Sequence, residues 1–94
     1  MAVNLNVTLK ASKKVQRTDG QGNVKILYEV EVLNEQGKAI QAVVFYPVAR
    51  AMKYLKPNDK LDVGIMTHVH KWVNSIGEVD LVTENTLIFV NRIS

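Results

Sequence analysis

Period-two alternation runs through most of the chain. Val24, Ile26, Tyr28, Val30 and Val32 interleave with Lys25, Glu29 and Glu31, which predicts a half-buried strand with its apolar face inward and its charged face in water. Val3, Leu5, Val7 and Leu9 alternate with Asn4, Asn6, Thr8 and Lys10, and Leu61, Val63 and Ile65 alternate with Lys60, Asp62 and Gly64. Two further strands are expected there. Ala39 to Tyr46 and Leu87 to Val90 are apolar on both faces, as in strands covered on two sides or lying in a subunit contact.

The connectors carry turn chemistry. Thr18-Asp19-Gly20-Gln21-Gly22-Asn23, Asn34-Glu35-Gln36-Gly37 and Asn74-Ser75-Ile76-Gly77 supply the Asp, Asn and Gly residues that tight reversals between antiparallel strands require. One segment departs from the alternation. From Pro47 to Leu55, Val48, Met52 and Leu55 fall on one helical face, Pro47 suits a first-turn position and Pro57 ends the helix. Five strands with one short helix between the third and fourth is the element order of the OB-fold, an all-β Greek-key barrel. The helix is expected to plug one end with Val48, Met52 and Leu55.

Composition narrows the setting. At 94 residues with two prolines and five glycines, a single domain spanning residues 1–94 is expected. The absence of cysteine excludes a disulfide framework and any thiolate metal site, and it fits a reducing compartment. The stretch Met1-Ala2-Val3-Asn4-Leu5-Asn6 has no export-signal pattern, and no run of about 18 apolar residues occurs. A cytoplasmic protein without a membrane span is expected.

Charge is unevenly placed. Residues 1–25 hold Lys10, Lys13, Lys14, Arg17 and Lys25 against Asp19 alone, whereas residues 26–59 cancel and residues 60–94 carry one net negative charge. A basic segment on an otherwise neutral domain fits contact with a polyanion, and solvated lysines on a loop fit it as well. Other chemistry finds little support. Asp59, Asp62, Glu78, Asp80 and Glu84 flank turns, with no nucleophile and base to pair. His68 and His70 lack a third ligand within sequence reach, and Gly20-Gln21-Gly22 lacks the rest of a phosphate-binding motif. No enzyme, metal or cofactor is expected.

The run from Val43 to Val63, with its Phe45, its helix closing on Tyr54-Leu55 and the basic turn at Lys56, followed by His68-Val69-His70-Lys71-Trp72 and Val79 to Val90, resembles bacterial-type single-stranded DNA-binding proteins. The resemblance implies stacking of bases on Phe45 and Trp72, each base worth about 1–3 kcal/mol whatever its identity. Core packing is the competing role for Phe45, and packing on its own sheet or in a dimer contact the competing role for Trp72. Spacing places His68, His70 and Trp72 on one strand face, with Lys71 adjacent. Three features depart from the family pattern. Ala39 stands where an aromatic is usual, the Asn34–Gly37 loop is short, and Lys10 replaces a glycine. The chain also closes on Asn91-Arg92-Ile93-Ser94 without an acidic tail, so recruitment of partners by such a tail is not expected.

The leading expectation is therefore sequence-nonspecific binding of single-stranded DNA in support of replication, recombination or repair, with RNA as the alternative ligand. The strand would lie in a groove lined by Lys10, Lys13, Lys14 and Arg17, beside Trp72, Phe45, Lys71, His68 and His70. The rival expectation is an oligomeric OB-fold scaffold or adaptor, a primosome-type accessory or interaction module, with weak or no nucleic-acid binding. Both carry a homo-oligomer, dimer or tetramer.

Overall fold

Three turns of one chemistry set the strand pairing. In each, an Asp or Asn is followed three residues later by a glycine with positive φ: Asp19 and Gly22 (85°), Asn34 and Gly37 (80°), Asn74 and Gly77 (85°). The glycine N–H donates to the Asx carbonyl oxygen, and the Asx side-chain Oδ1 accepts two further backbone N–H groups, two and four residues on. The side chain thus satisfies the donors that the reversal exposes, and glycine takes the left-handed position that closes a short hairpin.

The computed structural model describes residues 2–93; Met1 and Ser94, the ends of the expected 1–94 domain, lie outside the described residues. Its strands are β1 (Val3–Thr18), β2 (Val24–Leu33), β3 (Ala39–Val44), β4 (Lys60–Val73) and β5 (Val79–Arg92), with a 3-10 helix, Val48–Tyr54, between β3 and β4. They close into a barrel in the order β1-β2-β3-β5-β4. β1 bridges the two halves: Val3 to Thr8 pair antiparallel with Ile65 to Lys60, and the remainder pairs with β2. A single parallel pairing, Val43 with Thr86, joins β3 to β5. This architecture is consistent with the OB-fold.

Inside the barrel, Val7, Leu9, Val30, Val32, Val44, Leu61, Val63 and Leu87 form one buried cluster, each side chain contributing about 1.5–3 kcal/mol by leaving water. Met52 projects into this cluster from the helix, with Val48, Ala49 and Leu55 packed beside it. The expected plug is present as a 3-10 turn. Arg50 and Leu55 donate to the carbonyls three residues back, Pro47 and Met52. At three residues per turn, Ala49, Met52 and Leu55 eclipse one another, which brings Ala49 onto the core beside the residues that α-helical spacing selects.

The strands are longer than the alternation predicts. β1 continues past Lys10 because the register shifts between Leu9 and Ala11, a bulge that absorbs one residue and bends the strand. β1–β2 and β4–β5 therefore extend beyond the barrel as two hairpin arms. The apolar face expected for β2 is inward only from Tyr28 onward. Val24 and Ile26 lie on the outer arm and are exposed, while Leu27, set among the charges of the opposite face, is fully buried. Leu27 forms a second cluster with Val43 and Trp72, flanked by Val15, Phe45 and Val82. This cluster holds the arms together. Among the described residues no helix is long and apolar enough to cross a membrane.

Candidate nucleic-acid interface

The β4–β5 register determines which side chains meet. His70 lies opposite Val82, His68 opposite Glu84 and Trp72 opposite Asp80, so His68, His70, Trp72, Val82 and Glu84 share a face. Their rings form a row. His68 meets His70 at 5.8 Å, His70 meets Trp72 at 5.7 Å, and Phe45 reaches across from the end of β3 to stack on Trp72 at 6.1 Å and to meet His70 edge-on at 5.1 Å.

Glu84 sits beneath this row. Its Oε2 accepts from Trp72 Nε1 at 2.9 Å and lies 3.0 Å from His70 Nδ1, and its Oε1 accepts from Arg17 at 2.5 Å. Arg17 also donates to Glu29 at 2.6 Å and places its guanidinium 5.2 Å from the indole centroid. Burial alone would raise the Glu84 carboxyl, but the hydrogen bonds from Arg17 and Trp72, the Arg17 charge and the contact with His70 outweigh it and hold the carboxyl below its ordinary value. Burial works against the Arg17 charge in the same way, and the two carboxylates more than offset it.

Beside the aromatic row lies a cleft of about 570 Å³. One wall is the β1–β2 turn at Asp19, Gly20 and Gln21, and the other is β4 from Val69 to Trp72. Phe45 and Lys25 complete it. The turn is tied to β4 by a bridge between Asp19 and Trp72. A Cβ added at Gly20 would stand 3.2 Å from the Lys71 side chain, so the small residue lets the wall approach. Asp19 is held ionised by the backbone N–H of Asn23, by that of Gln21 and by Lys25, against a smaller opposing effect of burial.

The structure redistributes the expected site. Phe45, His70, Lys71 and Trp72 line the cleft together, and Lys25 joins them. Trp72 is not an open platform: it is only 6% exposed, with its indole packed in the second cluster and its edge tied to Glu84. Phe45 and His70 are partly buried, and the His70 side chain keeps 23% of its surface exposed. His68 continues the row but does not border the cleft. None of the expected groove residues Lys10, Lys13, Lys14 and Arg17 lines this cleft. Lys10 pairs with Glu31 at 3.0 Å and Arg17 is committed to Glu29 and Glu84. Lys13 stands in register with Glu29, and Lys14 lies on the other face of β1 opposite Tyr28.

Sequence reasoning missed Glu84, Leu27, Lys25 and Asp19. For Glu84 a signal existed: once the Asn74–Gly77 turn is read as a tight hairpin, counting outward places Glu84 opposite His68, on the face of Trp72. Among the described residues no group of three or more His, Asp or Glu is placed to hold a metal ion. Neither a protein-family model nor a curated protein sequence matches the chain.

Proposed function

We propose that this protein binds single-stranded nucleic acid without strong sequence preference, with DNA as the ligand suggested by the resemblance to bacterial-type single-stranded DNA-binding proteins, and that it serves replication, recombination or repair. The observation that carries the reading is the cleft between the β1–β2 turn and β4, whose lining brings partly buried Phe45 and His70 together with Lys25 and Lys71. Partly open rings beside cations are what base stacking and phosphate contact need together. In OB-folds the loops between strands 1 and 2 and between strands 4 and 5 are the usual oligonucleotide-binding edges, and this cleft lies along the first of them.

Trp72 is the only tryptophan and stacks on Phe45, so its fluorescence reports occupancy of the cleft. Titration with oligo-dT should quench it, and the quenching should weaken with salt. With Lys25 and Lys71 engaged the slope of log affinity against log salt is about −1.4, at roughly 0.7 per phosphate. Silence at micromolar concentrations, or a slope of zero, overturns the reading.

A separate observation favours the scaffold reading. Beside the cleft, which Val69 also borders, the β4–β5 arm exposes Val69 (62%) and Leu81 (69%), with Val79 and Ile76 also exposed, apolar side chains that a partner could cover. A second copy of the chain is the partner this reading names. Sedimentation of the protein and of Leu81→Glu tests it: association lost in the variant supports it, and a monomer in both excludes it.

A further inference from the structure

The Arg17 guanidinium and the Trp72 indole N–H can only donate, so the two donors occupy both oxygens of Glu84 as acceptors. His70 Nδ1 shares Oε2 at 3.0 Å. A carboxylate engaged in this way has no proton to give, so the proton of this third bond belongs to His70 Nδ1. In the neutral imidazole, a protonated Nδ1 leaves Nε2 as a bare acceptor. Among the described residues none hydrogen-bonds Nε2. His70 lines the cleft and Glu84 does not.

We infer that His70, locked by Glu84 as the Nδ1–H tautomer, presents a hydrogen-bond acceptor to the cleft and gives it a preference for bases bearing an exocyclic amino group. Cytosine and adenine carry an amino donor where thymine and uracil carry a carbonyl oxygen. An acceptor at Nε2 pairs with that amino group, whereas at the same position thymine and uracil present an acceptor and can offer only their neighbouring ring N3–H instead. Glu84 acts here as a positioning residue, since it reaches the ligand only through the His70 ring. This inference rests on the nucleic-acid reading of the cleft and adds a modest selectivity to it.

Two measurements test it separately. In the free protein, nitrogen–proton NMR correlations of the His70 ring, recorded where imidazole is neutral, should show hydrogen on Nδ1 and none on Nε2. In Glu84→Gln, where an amide replaces the obligatory acceptor, the Nε2–H form should gain population. Hydrogen on Nε2 in the unaltered protein, or an unchanged ring in the variant, overturns the lock, and the first of these needs no variant to fold. For the ligand, oligo-dC and oligo-dU of equal length keep the ring size and differ only along the Watson–Crick edge, where cytosine has its amino group beside an N3 acceptor and uracil a carbonyl beside N3–H. The protein should favour dC by about two- to tenfold, the worth of one hydrogen bond, and His70→Phe, which keeps a ring in place, should remove the difference. A preference for dC that persists undiminished in His70→Phe, or equal binding of dC and dU by the parent, overturns the readout by Nε2. If neither oligonucleotide binds while the tautomer is as stated, the nucleic-acid reading fails and the lock stands.

Discussion

Phe45 and Trp72 face each other at 6.1 Å, yet substitution should separate their roles. Trp72 is buried with Leu27 and Val43 and anchors both Glu84 and the Arg17 guanidinium. Trp72→Ala should therefore cost about 3–5 kcal/mol of stability, as large-to-small changes in a core do. Phe45 is only partly buried, so Phe45→Ala should cost less stability and instead remove about 1–3 kcal/mol of oligonucleotide affinity. Urea denaturation and the oligo-dT titration measure the two quantities. A Trp72→Ala protein as stable as the parent would place the indole outside the core. At this scale the sequence identified the aromatic residues of the site but not their exposure. Exposure of Trp72 is settled by Leu27 and Val43 arriving from β2 and β3, contacts that alternation within β4 does not encode.

At the scale of elements, local chemistry was the most legible. All three Asx-and-glycine turns form where their residues predict, because the side chain and the left-handed glycine act within five residues and need no tertiary partner. Strand length was less legible. The arm segment Ala11-Ser12-Lys13-Lys14 has no apolar period, since it lies mostly in solvent beyond the barrel and its pairing to β2 is backbone hydrogen bonding rather than side-chain burial. Gly64 illustrates a constraint that only the folded sheet reveals. It sits opposite Phe89 in the β4–β5 ladder next to a register shift, and a Cβ there would stand 2.5 Å from the Phe89 ring. Gly64→Ala should destabilise by about 1–3 kcal/mol through overpacking. In a Phe89→Ala background the alanine should be tolerated, and a double-mutant cycle by urea denaturation reads the difference as coupling. Additive effects would show that the ring moves aside freely.

The whole molecule is a barrel with two arms clasped beside it, 41 Å along its longest axis against 19 Å along its shortest. The clasp joins the Leu27–Trp72 cluster to a network of charged groups. Arg17 of β1 joins Glu29 of β2 to Glu84 of β5, and Glu84 in turn holds His70 and Trp72 of β4. Because the folded state depresses the Glu84 carboxyl below its ordinary 4.5, the unfolded chain binds a proton there more readily than the folded one. The resulting stabilisation is fully present above that ordinary value and is lost as pH falls through the lowered folded value. Asp19 and Glu31 are shifted in the same direction and add to the same fall in acid. Thermal melts followed by circular dichroism should therefore show Tm level near neutrality and falling below about pH 4.5, with a shallower fall in Glu84→Gln, which has no proton to take up. The variant should be less stable than the parent near neutrality and approach it in acid, since protonation removes from the parent what the substitution has already removed. Parallel curves for the two proteins would mean that the arms are held by the Leu27–Trp72 packing alone, and the charged clasp would then be a passenger on an apolar contact.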